Sequence, residues 1–80
     1  MGLAQTEKEL ADRASRFLKA ELKRANVTYA ELAQRLKQHG LLEETEASIK
    51  AKLKRGTFPA TFLIAVLAAL ELSAMSLEDL

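Results

Sequence analysis

The sequence contains no cysteine, one histidine, one proline and three glycines, and its aromatic side chains are one tyrosine and three phenylalanines. Without cysteine the chain forms no disulfide and no thiolate metal site, and a single histidine cannot build a histidine-rich one. A chain of 80 residues buries only about 60–65% of the surface that it exposes when unfolded. Its stability must therefore come from regular helix packing or from association with a second copy.

Neither sign of charge dominates, because twelve Lys and Arg side chains stand against eleven Asp and Glu, which gives a net charge of +1. Bulk charge therefore does not point to nucleic acid, and only a local asymmetry can do so. The longest apolar run, residues 62–70, is far shorter than the ~20 residues that span a bilayer. The first residues also lack a basic region followed by an apolar run. We expect a cytoplasmic protein with no membrane partner.

The residues that are abundant, mainly Ala, Leu, Glu and Lys, are strong helix formers. Apolar residues recur at helical spacing, and threonine–glutamate pairs three residues apart are typical of helix starts. Gly40 and Gly56 are natural left-handed stops. We expect one all-α domain over residues 1–80, built from four to five short helices. The predicted helices cover approximately residues 6–25, 28–39, 45–55 and 58–72, with a short fifth one near Ser76–Leu80.

Two of these helices have faces that matter for packing. Helix 1 is expected to bury a stripe that consists of Leu10, Ala14, Phe17, Leu18, Leu22 and Ala25. Its opposite side carries cations, which we interpret as a solvated face: Arg13, Arg16, Lys19, Lys23 and Arg24. Helix 4 is apolar on every side between residues 62 and 70. Such a helix lies at the centre of a core or is covered by something else.

Helix 3 has the clearest local charge asymmetry, because no acid follows Glu46 while four cations do: Lys50, Lys52, Lys54 and Arg55. A helix that presents ammonium and guanidinium groups on one face suits the major groove of DNA. Neutralised phosphates then supply affinity through counterion release. A plain solvated surface explains the same pattern, and the sequence leaves both interpretations open.

The order of signals from Thr28 onwards is specific: a helix with Leu32-Ala33, a second helix that ends at Arg55-Gly56, and then an apolar helix. This order resembles the phage-repressor and Cro type of helix-turn-helix domain, over roughly residues 17–80. The element Arg55-Gly56-Thr57-Phe58 is also similar to one in a small group of short bacterial proteins of unassigned function. The resemblance implies a lambda repressor-like bundle with its helix-turn-helix core at about residues 28–56.

The resemblance further implies a DNA-binding transcriptional regulator with helix 3 in the major groove of double-stranded DNA. Its implied contacts lie at the start of helix 2 and along helix 3: Thr28, Tyr29, Ala47, Ser48, Lys50, Lys52, Lys54, Arg55 and Thr57. The early positions of helix 3 would face base edges, its last positions would face phosphate, and Lys52 suits either. Tyr29 also suits a half-buried place at the edge of the core. The sequence has no catalytic constellation, cofactor fingerprint or metal-ligand set, so we expect no enzyme and no cofactor.

The chain departs from the repressor pattern in three places. The connection from Gly40 to Thr45 has about six residues, whereas the motif's turn has about 3–4. Three carboxylates, those of Glu43, Glu44 and Glu46, precede or begin helix 3, and phosphates would repel them unless they serve as helix caps. Tyr29 replaces a common glutamine. The alternative function is a repressor-like protein–protein interaction module, a homodimer through helix 4 and the C-terminus, without DNA binding.

Overall fold

The computed structural model describes residues 6–71, which form four helices and contain no strand. The helices are α1 (Glu7–Ala25), α2 (Tyr29–Lys37), α3 (Glu46–Arg55) and α4 (Ala60–Ala69). The all-α prediction with four main helices is confirmed. The short helix predicted near Ser76 lies outside the described residues.

Each of the first three helices begins directly after a threonine: Thr6, Thr28 and Thr45. In all three cases the hydroxyl accepts a hydrogen bond from the backbone amide three residues later, at 3.1 Å. At Thr45 the contact is reciprocal, because the Ser48 Oγ accepts the Thr45 amide at 2.8 Å. These bonds satisfy amides that have no partner inside the helix, and so they favour a helix start at each threonine. The three predicted helix starts are confirmed.

Two glycines with a left-handed backbone lie where the sequence predicts helix stops. Gly56 (φ 74°) ends α3, and Gly40 (φ 93°) follows α2. The Leu41 amide donates back to the Leu36 carbonyl at 3.0 Å, which closes α2 in a Schellman-like turn. The regular part of α2 stops at Lys37, so eight residues, 38–45, separate α2 from α3. The connection is longer than the six residues expected.

The last described helix, α4, is shorter than predicted. It begins at Ala60, after Pro59, and ends at Ala69 rather than near Leu72. The Pro59 carbonyl accepts the Phe62 amide at 3.0 Å and so starts the first turn. Glu71 has a left-handed backbone (φ 60°), which a continuing helix does not tolerate.

The core takes side chains from all four helices and from Val27: Phe17, Leu18, Leu22, Val27, Leu32, Ala33, Leu36, Ile49, Leu53, Phe62, Ala65, Val66 and Ala69. One prediction about it was wrong, and for α4 one of the two alternatives is excluded. Leu10 (44% exposed) and Ala25 lie outside the buried stripe of α1, because this 19-residue helix is longer than the core that it covers. In α4, Ile64 is 64% exposed, so this apolar helix is buried on one side only among the described residues.

Helices α1 and α3 pack closely and in opposite directions. The Ser15 hydroxyl of α1 donates a hydrogen bond to the Leu53 carbonyl of α3. Ala11, which lies four residues before Ser15 on α1, contacts Gly56, which lies three residues after Leu53. A Cβ at Gly56 would lie 2.6 Å from the Ala11 carbonyl oxygen. The absence of a side chain at Gly56 therefore permits this close approach, which sets α1 beside the basic helix α3.

Candidate nucleic-acid interface

One face of α3 is turned away from the core. Ile49 and Leu53 are fully buried and fix the inward direction of the helix. Residues spaced by three and four positions share a helix face, and one such exposed set lies away from these two. We call this set the α3 outer face: Ala47, Lys50, Ala51 and Lys54. Because two of its four side chains are methyl groups, a partner can approach the α3 backbone closely between the two ammonium groups.

Lys52 points in another direction, because two residues along an α-helix correspond to about 200° of rotation. Its Nζ lies 2.9 Å from the Glu44 carboxylate and 5.6 Å from the centre of the Phe62 ring. The Ser48 hydroxyl donates a second hydrogen bond to Glu44, at 2.6 Å. Only 21% of the Lys52 side chain is exposed. Lys52 thus joins the α2–α3 connection to α3 and α4, and the four cations of α3 do not form a single face.

The Lys52–Glu44 ion pair also affects how strongly the acidic residues before α3 would repel a phosphate. The Glu44 carboxylate is 13% exposed and is neutralised by Lys52. Glu46 occupies the first turn of α3, where the helix dipole favours a negative charge. Glu43 is exposed in the connection. One of the three carboxylates expected to repel a phosphate is therefore internally compensated.

A shallow groove runs between α1 and α3 beside the α3 outer face. We call it the α1–α3 groove, and its lining residues are Asp12, Ser15, Arg16, Lys19, Leu53 and Lys54. Asp12 is its one carboxylate and pairs with Lys8 at 3.4 Å. Within residues 6–71, no carboxylate lies at salt-bridge distance from the cations of the groove or from Lys50. Three cations from two helices, none of them paired with a carboxylate of residues 6–71, thus share one surface depression.

The remaining predicted contact residues lie elsewhere. Arg55 and Thr57 line a second shallow depression near the start of α1, where both signs of charge occur. It shares Asp12 and Lys54 with the α1–α3 groove and adds Glu7, Lys8 and Ala11. At the start of α2, the Thr28 hydroxyl is occupied as a helix cap. Tyr29 is half-buried and packs against the core, as one of its two interpretations predicts.

Two negative findings apply to residues 6–71 alone. They contain no group of three or more His, Asp or Glu side chains placed to hold a metal ion. No helix in this part of the chain combines the length and the apolar character needed to cross a membrane.

Comparison with known proteins places the chain in a family. The model of the domain of unknown function DUF6471 matches residues 10–75. The chain belongs to the DUF6471 family. The matched range includes most of α1 and all of α2, α3 and α4. No curated protein and no solved structure matches it. Membership agrees with the similarity to short proteins of unassigned function, whereas the comparisons give no support to a repressor-type family.

Sequence reasoning missed two features of this DUF6471 domain. It assigned Arg16 and Lys19 to a solvated face of helix 1, and both are exposed, but it did not place them in a groove with Lys54 of α3. It also grouped Lys52 with the other α3 cations. The spacing within α3 does separate Lys52 from Lys50 and Lys54, so that signal was available. The position of α1 beside α3 had no local signal in the sequence.

Proposed function

We propose that this DUF6471 domain binds double-stranded DNA, with the α3 outer face directed into the major groove. The observation that carries the proposal is the pair Lys50 and Lys54, one turn apart, unpaired among the described residues, and separated only by small side chains. A major groove admits one α-helix, and lysine ammonium groups bind guanine acceptors or phosphate oxygens. Regulation of transcription is the role that such binding would serve.

In this proposal α2 and α3 act as a repressor-like helix-turn-helix pair with a long connection. Support comes from the shared core of the two helices, to which Leu32 and Leu36 of α2 and Ile49 and Leu53 of α3 contribute. At the start of α2 the backbone amides of Tyr29 and Ala30, which have no partner inside the helix, would approach a phosphate. At the end of α3, Arg55 and Thr57 would approach another. Lys52 is assigned a structural role, because Glu44 already neutralises it.

The native chain is expected to bind a mixed-sequence DNA duplex with an affinity that falls steeply with salt. If about 4–6 phosphates are neutralised, the logarithm of the binding constant should fall with the logarithm of salt concentration with a slope of about −4 to −5. Fluorescence anisotropy of a labelled duplex over a salt series measures this slope. An RNA duplex of the same length is the control, because its deep, narrow major groove excludes a helix. Absence of DNA binding at low salt, or equal affinity for both duplexes, would contradict the proposal.

A second candidate function is a homodimer that uses α4 and does not require DNA. Its support is the exposed apolar row Ala60, Ile64 and Ala68, whose spacing of four residues places it along one side of the helix. Burial of such a row against a second copy would add the apolar area that a small domain lacks.

Ile64→Lys is expected to convert a dimer into a monomer, because the ammonium group would have to be desolvated in the interface. The matched control is Leu42→Lys, which makes a similar change at a side chain that is 69% exposed in the α2–α3 connection. Sedimentation equilibrium measures both variants against the native chain. A native chain that stays monomeric at millimolar concentration, or a dimer that Leu42→Lys disrupts equally, would count against α4.

A further inference from the structure

We infer that α1 forms a second part of the DNA site, with one phosphodiester strand lying along the α1–α3 groove. This inference rests on the proposed function and deepens it, because it adds residues from outside the helix-turn-helix pair. The residues that would bind the strand are Arg16 and Lys19 of α1, together with Lys54 of α3.

The antiparallel packing of the two helices places these cations side by side. Ser15 is level with Leu53, as their hydrogen bond shows. Each helical residue advances about 1.5 Å along its axis. Lys19 lies four residues beyond Ser15 on α1, and Lys50 lies three residues before Leu53 on α3. The two lysines therefore stand at similar heights along the antiparallel pair. Arg16, one residue beyond Ser15, lines the groove near Lys54.

The charges of the groove suit a polyanion better than they suit solvent alone. Two helices supply cations to this one depression, so that a single anionic strand can contact all three of them. Arginine offers a planar set of donors that binds two phosphate oxygens at once, and lysine adds a compact charge. The carboxylate of Asp12 opposes such a strand, and its contact with Lys8 reduces that opposition.

The opposite flank of α3 differs, because its lysine is already engaged within the fold. There Lys52 is held by Glu44 and lies over the Phe62 ring. A strand that runs beside α3 is therefore attracted to the α1 flank. The DNA backbone, a continuous line of phosphates, would therefore lie in the α1–α3 groove when the α3 outer face enters the major groove.

The decisive variant is Arg16→Ala with Lys19→Ala. Both side chains are exposed, and alanine is the strongest helix former, so α1 should remain folded. Duplex affinity should fall about 10–100-fold at low salt, by a similar factor for every DNA sequence. The slope of the salt dependence should become shallower by about two. Lys37→Glu is the control, because it also lowers the net charge by two units but lies in the last turn of α2.

Asp12→Asn tests the same groove with the opposite sign. Removing the one carboxylate of the groove should tighten duplex binding about threefold, since the phosphate then meets no like charge.

Native affinity in the Arg16 and Lys19 double variant, combined with loss of affinity in Lys50 and Lys54 variants, would overturn the role of α1 and leave the proposed function intact. Unchanged or weaker binding by Asp12→Asn would also count against the groove. Failure of the native chain to bind DNA would instead overturn the proposed function.

Discussion

Replacing both Lys50 and Lys54 with Ala is expected to weaken duplex binding about 100-fold or more. Each lysine would make one charged contact in the DNA major groove, worth about 1–3 kcal/mol. A free-energy change of 1.4 kcal/mol corresponds to a factor of ten in affinity. Both side chains are exposed, and neither takes part in the core. The double variant should therefore keep its circular dichroism spectrum and its midpoint of urea unfolding while it loses DNA.

Lys37→Glu distinguishes a local contact from a general effect of charge. It changes the net charge by two, as the double variant does, at an exposed position in the last turn of α2. Its affinity should change less than about threefold at moderate salt, where the Debye length is about 10 Å. A loss as large as that of the double variant would mean that overall charge, and not the α3 outer face, controls binding.

Gly56→Ala is expected to lower the free energy of unfolding by about 2–5 kcal/mol. A left-handed backbone costs a non-glycine residue about 1–2 kcal/mol, and the φ of Gly56 is 74°. The added methyl group would also lie 2.6 Å from the Ala11 carbonyl oxygen. That oxygen belongs to the backbone of α1 and cannot rotate away, so the two helices must separate, at a cost of about 1–3 kcal/mol. Urea unfolding followed by circular dichroism measures the difference.

Gly40→Ala provides the matched comparison. Gly40 also has a positive φ, 93°, but a Cβ there meets no atom within 4 Å. This variant should therefore lose only the backbone contribution, about 1–2 kcal/mol. The difference between the two variants measures the close contact between α1 and α3. Equal losses would contradict that contact and, with it, the shape of the α1–α3 groove.

The helix boundaries were largely predictable from sequence because their causes are local. Thr28 and Thr45 bond to amides only three residues away, and Gly56 ends α3 through its own backbone. The end of α4 was not predictable in this way. Glu71 is not a usual left-handed residue, and no glycine or asparagine marked the stop.

The candidate site was predictable in part. Helical spacing alone places Lys50 and Lys54 on one face and Lys52 on another, although the run of cations looks uniform in the sequence. The α1–α3 groove depends on a contact between Ser15 and Leu53, 38 residues apart in the chain. No local sequence pattern indicates a contact between residues so far apart, so Arg16 and Lys19 were interpreted only as part of a solvated face. The pair Glu44–Lys52 was missed because its two members stand on either side of a helix start.

The most direct measurement is a titration of the isotopically labelled chain with a DNA duplex, followed by backbone amide NMR shifts. Binding through the α3 outer face predicts that the largest changes occur at residues 47–54 of α3, with further changes at residues 16–19 of α1. The exposed row of α4 around Ile64 should remain unchanged at the same DNA concentration. Shifts confined to α4, or no shifts at low salt, would contradict the assignment of α3 as the DNA-binding helix.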